Sequence, residues 1–305
     1  MKSVLTFVLA LFMTAVTMSA QQTVVQNKDL DAFTSVKMDD KFSFRLKNSP
    51  TYSVRIIADE RIADYVRPVV KGGTLSMVLD EKKYPDELKK ALKAKGAAEP
   101  VLEIEIYAPT IKKLELKNKA ILMDAERLKV DNFELNVSGS AFVNRLHVDC
   151  GSATFDFNNS CQANVSISVD SKLTITTSNS SKVNVSQRGG NGFFTTKGSS
   201  TLNVTGEYLV VETDASGSSE TFLSGKASIL KVEASGTSMT DAEALEVKEG
   251  DFELSGPSKC HVNVEEYMKV NLTGGTMLTF KRKPVIEVDR IVNSTLIKAD
   301  DPKRK

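Results

Sequence analysis

Residues 197–237 read KGSSTLNVTGEYLVVETDASGSSETFLSGKASILKVEASGT, and three times within them a small polar turn is built around a glycine: Gly198, Gly217 and Gly236. Outward from this stretch the same phrase, an apolar-x-apolar run followed by a Ser/Gly turn, returns as Leu254-Ser255-Gly256-Pro257 and Leu272-Thr273-Gly274-Gly275. It appears earlier as Leu135-Asn136-Val137-Ser138-Gly139-Ser140. The glycines at 198, 217, 236, 256 and 274 step by 19, 19, 20 and 18 residues. Similar steps backward reach Asn179, Asn159 and Gly139. Asparagine is the other residue that tolerates the left-handed backbone of a glycine turn, so the period survives where the glycine does not. A second phrase keeps the pitch half a repeat away: Ala163-Asn164-Val165, Val183-Asn184-Val185, Leu202-Asn203-Val204 and Val262-Asn263-Val264.

A period near 20 residues, built of short strands between Gly/Ser/Asn turns, is what one coil of a parallel β-helix or β-solenoid requires. Leu, Val, Ile, Phe and Cys take the inward positions and Ser, Thr, Asn and Lys the alternating outward ones. An antiparallel β-sandwich also uses short strands with frequent turns. Repetition of one turn chemistry at one pitch favours the solenoid. The predicted fold class is therefore all-β, a parallel β-solenoid with repeats of about 19–20 residues.

Four segments are expected. Residues 1–20 read as a secretory signal peptide: Lys2, an apolar run from Val4 to Val16, then Ser19 and Ala20. Residues 21–130 form an N-terminal β region of short alternating strands, interrupted at 85–96 by PDELKKALKAKG, whose early acids, later lysines and terminal glycine predict a short helix. Leu88 and Leu92, four residues apart, would dock it on the sheet. Residues 131–281 hold the solenoid repeats, and residues 282–305 a last strand and a polar tail. The 40 basic and 39 acidic residues nearly cancel, so no global field points to nucleic acid. The apolar run of the leader is too short for a stable membrane span, and no later run approaches one. The first cysteine is Cys150, which leaves none at the expected cut for a lipid anchor.

Cys150, Cys161 and Cys260 share the parity of inward-pointing neighbours, as small buried hydrophobes do. A Cys150–Cys161 disulfide is the alternative that export permits. Nucleophilic catalysis needs a base, and both histidines, His147 and His261, alternate out of phase with apolar neighbours. The Ser-Gly-Ser phrases are turns, and no Gly-x-Ser-x-Gly elbow or phosphate-cradling loop appears. Solenoids can also carry carbohydrate-active carboxylate pairs or calcium sites, for which Asp149, Asp156 and Asp170 are the candidates. No catalytic residue, metal site or cofactor is assigned.

Several phrases in order resemble the head GIN domain of autotransporter-type adhesins, exported proteins of Bacteroides-like bacteria. They are Phe33 and Val36, Gly73-Thr74-Leu75-Ser76-Met77, Ile104-Glu105-Ile106-Tyr107-Ala108-Pro109 with Leu114, the Ser-Gly-Ser turns, Phe280 to Val285, and Ser294 to Lys298. The lysine-rich insert, the missing glycines near 159 and 179, and Arg282 before Lys283-Pro284 depart from the pattern. The resemblance implies a β-helix-like fold and an adhesive role, and supplies no ligand or catalytic residues. The expectation is an exported, non-catalytic protein that presents Ser/Thr/Asn faces to a glycan or protein at a surface. Asn184, Asn203 and Ser218 are its candidate binding residues. A carbohydrate-active enzyme and a structural envelope subunit, able to self-assemble, are the alternatives.

Overall fold

The computed structural model describes residues 22–299; the expected leader, residues 1–20, and residues 300–305 of the expected polar tail lie outside the described residues. The N-terminal part holds β1 (Thr23–Asp29), β2 (Ser35–Met38), β3 (Ser43–Asn48), β4 (Ser53–Asp59), the hairpin β5 (Val66–Lys71) and β6 (Thr74–Leu79), helix α1 (Asp86–Lys93), β7 (Leu102–Ala108), β8 (Lys113–Leu116) and β9 (Ile121–Ala125). Then come β10 (Leu128–Val137), β11 (Phe142–Phe157), β12 (Gln162–Thr177), β13 (Lys182–Arg188), β14 (Asn191–Thr196), β15 (Thr201–Ala215), β16 (Glu220–Ala234), β17 (Met239–Leu254) and β18 (Lys259–Thr273). The chain closes with β19 (Met277–Lys281), β20 (Val285–Val292) and β21 (Thr295–Lys298).

From β8 onward every pairing is parallel and joins one coil to the next, which is the predicted solenoid. The register offset is 20 residues at Gln162↔Lys182, 19 at Lys182↔Thr201 and Thr201↔Glu220, and 18 at Lys259↔Met277. Each long strand bends midway and serves two ladders. In β11, the residues from Phe142 to Cys150 stack on the first ladder and Ser152 to Phe157 on the second. The stacking already spans residues 113–125, because β8 pairs with β10 and β9 with β11.

The turns carry the pitch as their chemistry predicts. Gly198, Gly217 and Gly236 have φ of 72°, 77° and 67°, and Asn159 and Asn179 stand in their place with φ of 67° and 61°. Successive turns bond directly: the Ser199 N–H donates to the Asn179 carbonyl at 2.6 Å and Ser218 N–H to the Gly198 carbonyl at 2.7 Å. Beside them runs a buried line of hydroxyls that closes the turn from inside. Ser181, Ser200 and Ser238 donate to the carbonyls of Ser178, Lys197 and Ser235 at 3.1, 2.7 and 2.8 Å. A buried polar side chain is tolerated at these three positions because each of the three hydroxyls finds a carbonyl.

Chain order and spatial order part at the N-terminal end. The β2–β3 coil sits inside the stack, with β6 and β8 flanking β2, and β7 and β9 flanking β3, all in parallel. Outside them lie antiparallel strands, β5 against β6, and β4 against β7 with β1 beyond it. These strands cover an end that would otherwise present open parallel edges. Helix α1 occupies the predicted insert, Gly96 follows it at φ 85°, and Leu88 and Leu92 pack against the core.

The disulfide is corrected: Cys150, Cys161 and Cys260 are all free and buried. Cys150 lies at the bend before the second-ladder part of β11, and Cys161 lies past the turn that follows it. A strand of six residues thus separates them, roughly 20 Å at 3.3 Å per residue. A disulfide needs Cα atoms within about 7 Å.

Candidate functional site: an amide-floored trough on the first ladder

Two parallel rows of side chains, polar except for Phe222, face outward from the first ladder. One runs Asn164, Asn184, Asn203, Phe222 and Asp241 in consecutive coils. The other runs His147, Ser166, Ser186, Thr205 and Ser224. The amides bond in series: Asn184 Nδ2 donates to Asn164 Oδ1 and Asn203 Nδ2 to Asn184 Oδ1, both at 2.9 Å. Thr205 and Ser224 hydroxyls are 2.8 Å apart. Such ladders follow from stacking identical residues about 4.8 Å apart, and each bond fixes a rotamer.

The rows form a floor because bulges raise both ends. In β11 the buried residues Val143 and Leu146 are three apart, so Asn144 and Arg145 are both pushed outward. In β17 Ala242 and Leu245 do the same to Glu243 and Ala244. Between these rims lie two shallow depressions of about 510 and 430 Å³, which share Asn203 and Thr205 and so form one trough. Each rim carries an ion pair. Arg145 Nε donates to Asp124 Oδ1 at 2.7 Å, and this bond holds the Asp124 carboxyl below its usual range. At the far rim Lys281 bonds Glu243 and lowers its carboxyl likewise.

The trough brings Asn184 and Asn203 together and leaves Ser218 out. Ser218 is exposed on the stacked turns, 2.8 Å from the Thr237 hydroxyl. Phe222, a half-buried outward aromatic in line with the amides, was not among the expected residues. Adding the 19-residue step to Asn203 finds it. The three aspartates do not converge. Asp149 lies on the first ladder opposite Ser168, 3.4 Å from Arg127, while Asp156 lies on the second opposite Thr176. Asp170 falls two residues beyond Ser168. Among the described residues no group of three His, Cys, Asp or Glu side chains could hold a metal ion, and no helix is long and apolar enough to cross a membrane.

Coils stacked in register, with antiparallel strands over one end and a polar trough along one ladder, define a parallel β-solenoid. The sequence matches the family described as "Putative auto-transporter adhesin, head GIN domain" over residues 32–187 and again over 154–284. The chain belongs to that family. Among solved structures it is similar to a "putative adhesin" from Parabacteroides merdae, at 15% identity and TM-score 0.47, over 92% of this chain and 97% of that one. It is also similar to a "putative lipid binding protein" from Parabacteroides distasonis, at 14% identity and TM-score 0.45, over 91% of this chain and 97% of that one. A "putative adhesin" from Parabacteroides distasonis has 15% identity and TM-score 0.42, over 91% and 94% of the two chains. Among curated proteins no relative matches this chain.

Proposed function

We propose that the protein is an exported, non-catalytic adhesin-like binder that seats an extended glycan along the trough. The observation that carries this reading is the row of bonded amides ending on Phe222, bounded by two rims. A polymer with hydroxyls at a regular pitch meets amides and hydroxyls repeated at the pitch of the coils. Phe222 adds an apolar face on which a sugar ring can stack, as aromatic side chains serve at many binding sites. The floor groups are fixed by their own hydrogen bonds, so little rotamer freedom is lost on binding. Family membership supports the adhesive role and a location outside the cytoplasm.

Catalysis on the same polymer would need two carboxylates across one glycosidic bond. Asp149 is engaged by Arg127 and Asp156 faces outward from the other ladder, which favours binding without turnover. The test is a screen of the purified chain against arrayed glycans and matrix proteins, with a parallel assay for reducing or unsaturated ends. Saturable glycan binding without products is expected. Release of products that Asp149→Asn or Asp170→Asn abolishes would replace this reading with a carbohydrate-active one.

A further inference from the structure

The two ends of the solenoid are built differently. Antiparallel strands cover the N-terminal end, whereas at the other end β20 pairs only with β18 and β21 only with β19 among the described residues. The last coil repeats the inward pattern of the coil beneath it: Ile286 stacks over Met268, Val288 over Val270, Ile291 over Leu272 and Leu296 over Leu278. The lower members of these four stacks are all fully buried. Among the described residues no further coil lies above the upper members, and Val288 and Ile291 are 52% and 40% exposed. Val285, Val292 and Ile297 add exposures of 68%, 41% and 41%. This end therefore joins an apolar cross-section to an open strand edge, a combination that monomeric proteins normally blunt.

We infer that this end coil is an interface with a second copy of the same chain, joined end to end about a two-fold axis. The strand is self-complementary. Its register on β18 slips by one residue between Val270 and Asn271, so Ile286 and Ile291 face the core although they lie an odd number of residues apart. Two β20 strands laid antiparallel about an axis between Val288 and Asp289 place Ile286 opposite Ile291 of the second copy. The same register sets Val285 opposite Val292 and Glu287 opposite Arg290, each contact occurring twice. Arg290 is exposed and ends an outward row whose earlier members include Asp214, Glu233 and Glu253. A contact about a two-fold axis uses the same strand of both copies, so it closes at a dimer and does not propagate into a fibre.

Sedimentation velocity of the purified chain over a concentration series tests this, and a reversible monomer–dimer equilibrium is expected. Arg290→Glu sets like charges opposite each other twice and weakens the dimer by about tenfold. Glu287→Arg combined with Arg290→Glu restores it. Thermal melts followed by circular dichroism show that each variant is folded. As a measurement free of charge changes, Val285→Cys with Val292→Cys forms an interchain disulfide under oxidation. A wild-type chain that stays monomeric throughout the series overturns the inference, including one whose β20 amides resist exchange because its own termini cover them. So does a dimer that neither responds to Arg290→Glu nor cross-links.

Discussion

At the scale of single residues, stacked coils make backbone approach the dominant constraint. Gly225 has φ 110°, and a Cβ there would sit 1.9 Å from the Gly206 carbonyl oxygen of the coil below. Gly72, at φ 57° in a hairpin turn, has nothing within 4 Å of the same position. Gly225→Ala should therefore cost about 3 kcal/mol or more, whereas Gly72→Ala costs only the left-handed strain of about 1 kcal/mol. Chemical denaturation of the two variants separates these outcomes. Burial pushes the Cys150 and Cys161 thiols up to about 11 and raises Cys260 as well. The thiolate is the reactive form, so all three should resist a thiol reagent at pH 8 in the native protein and react fully once unfolded. A reading of one free thiol after unfolding without reductant would restore a disulfide. Arg282 shows how a non-glycine residue is held at φ 70°: its guanidinium bonds Asn263 and Glu265 at 2.9 and 3.3 Å.

At the scale of elements, the turns and the inward rows were legible because repetition exposes them. Asn159 and Asn179 were readable as left-handed turns from the period alone. Alternation names the face of a residue but not the neighbour of its strand, which is why the insertion of the β2–β3 coil between later strands had no signal. The trough was half legible: Asn184 and Asn203 stood out as a repeated phrase, but its rims are bulges. Their trace in the sequence is a spacing of three between apolar residues, Val143 to Leu146 and Ala242 to Leu245. The near rim also predicts a pH dependence. The bond from Arg145 holds the folded-state pKa of Asp124 below the ordinary carboxylate value, so the pair stabilises the fold above that value and stops doing so as pH falls through the folded one. Asp124→Asn should lower the melting temperature at neutral pH and leave it unchanged in strong acid. Equal losses at both pH values would mean that the side chain acts through something other than its charge.

At the scale of the whole molecule, each coil touches only its neighbours, so stability and surface are both written as rows along the stack. Outward charges alternate down one such row, Glu212, Lys231, Asp251, Lys269 and Glu287, with Lys231 and Glu212 2.9 Å apart. That row serves solubility and register, whereas the amide row on the first ladder is uncharged until Asp241 and lies between raised rims. The contrast between the two ladders makes the central claim testable. An array glycan that binds the wild-type chain is titrated by calorimetry against Asn184→Ala, Phe222→Ala and, on the second ladder, Asp214→Asn. The first two should lose affinity by about tenfold or more, the loss of one good contact each, while the third binds as wild type. Unchanged affinity in both trough variants, or a loss confined to Asp214→Asn, would contradict it.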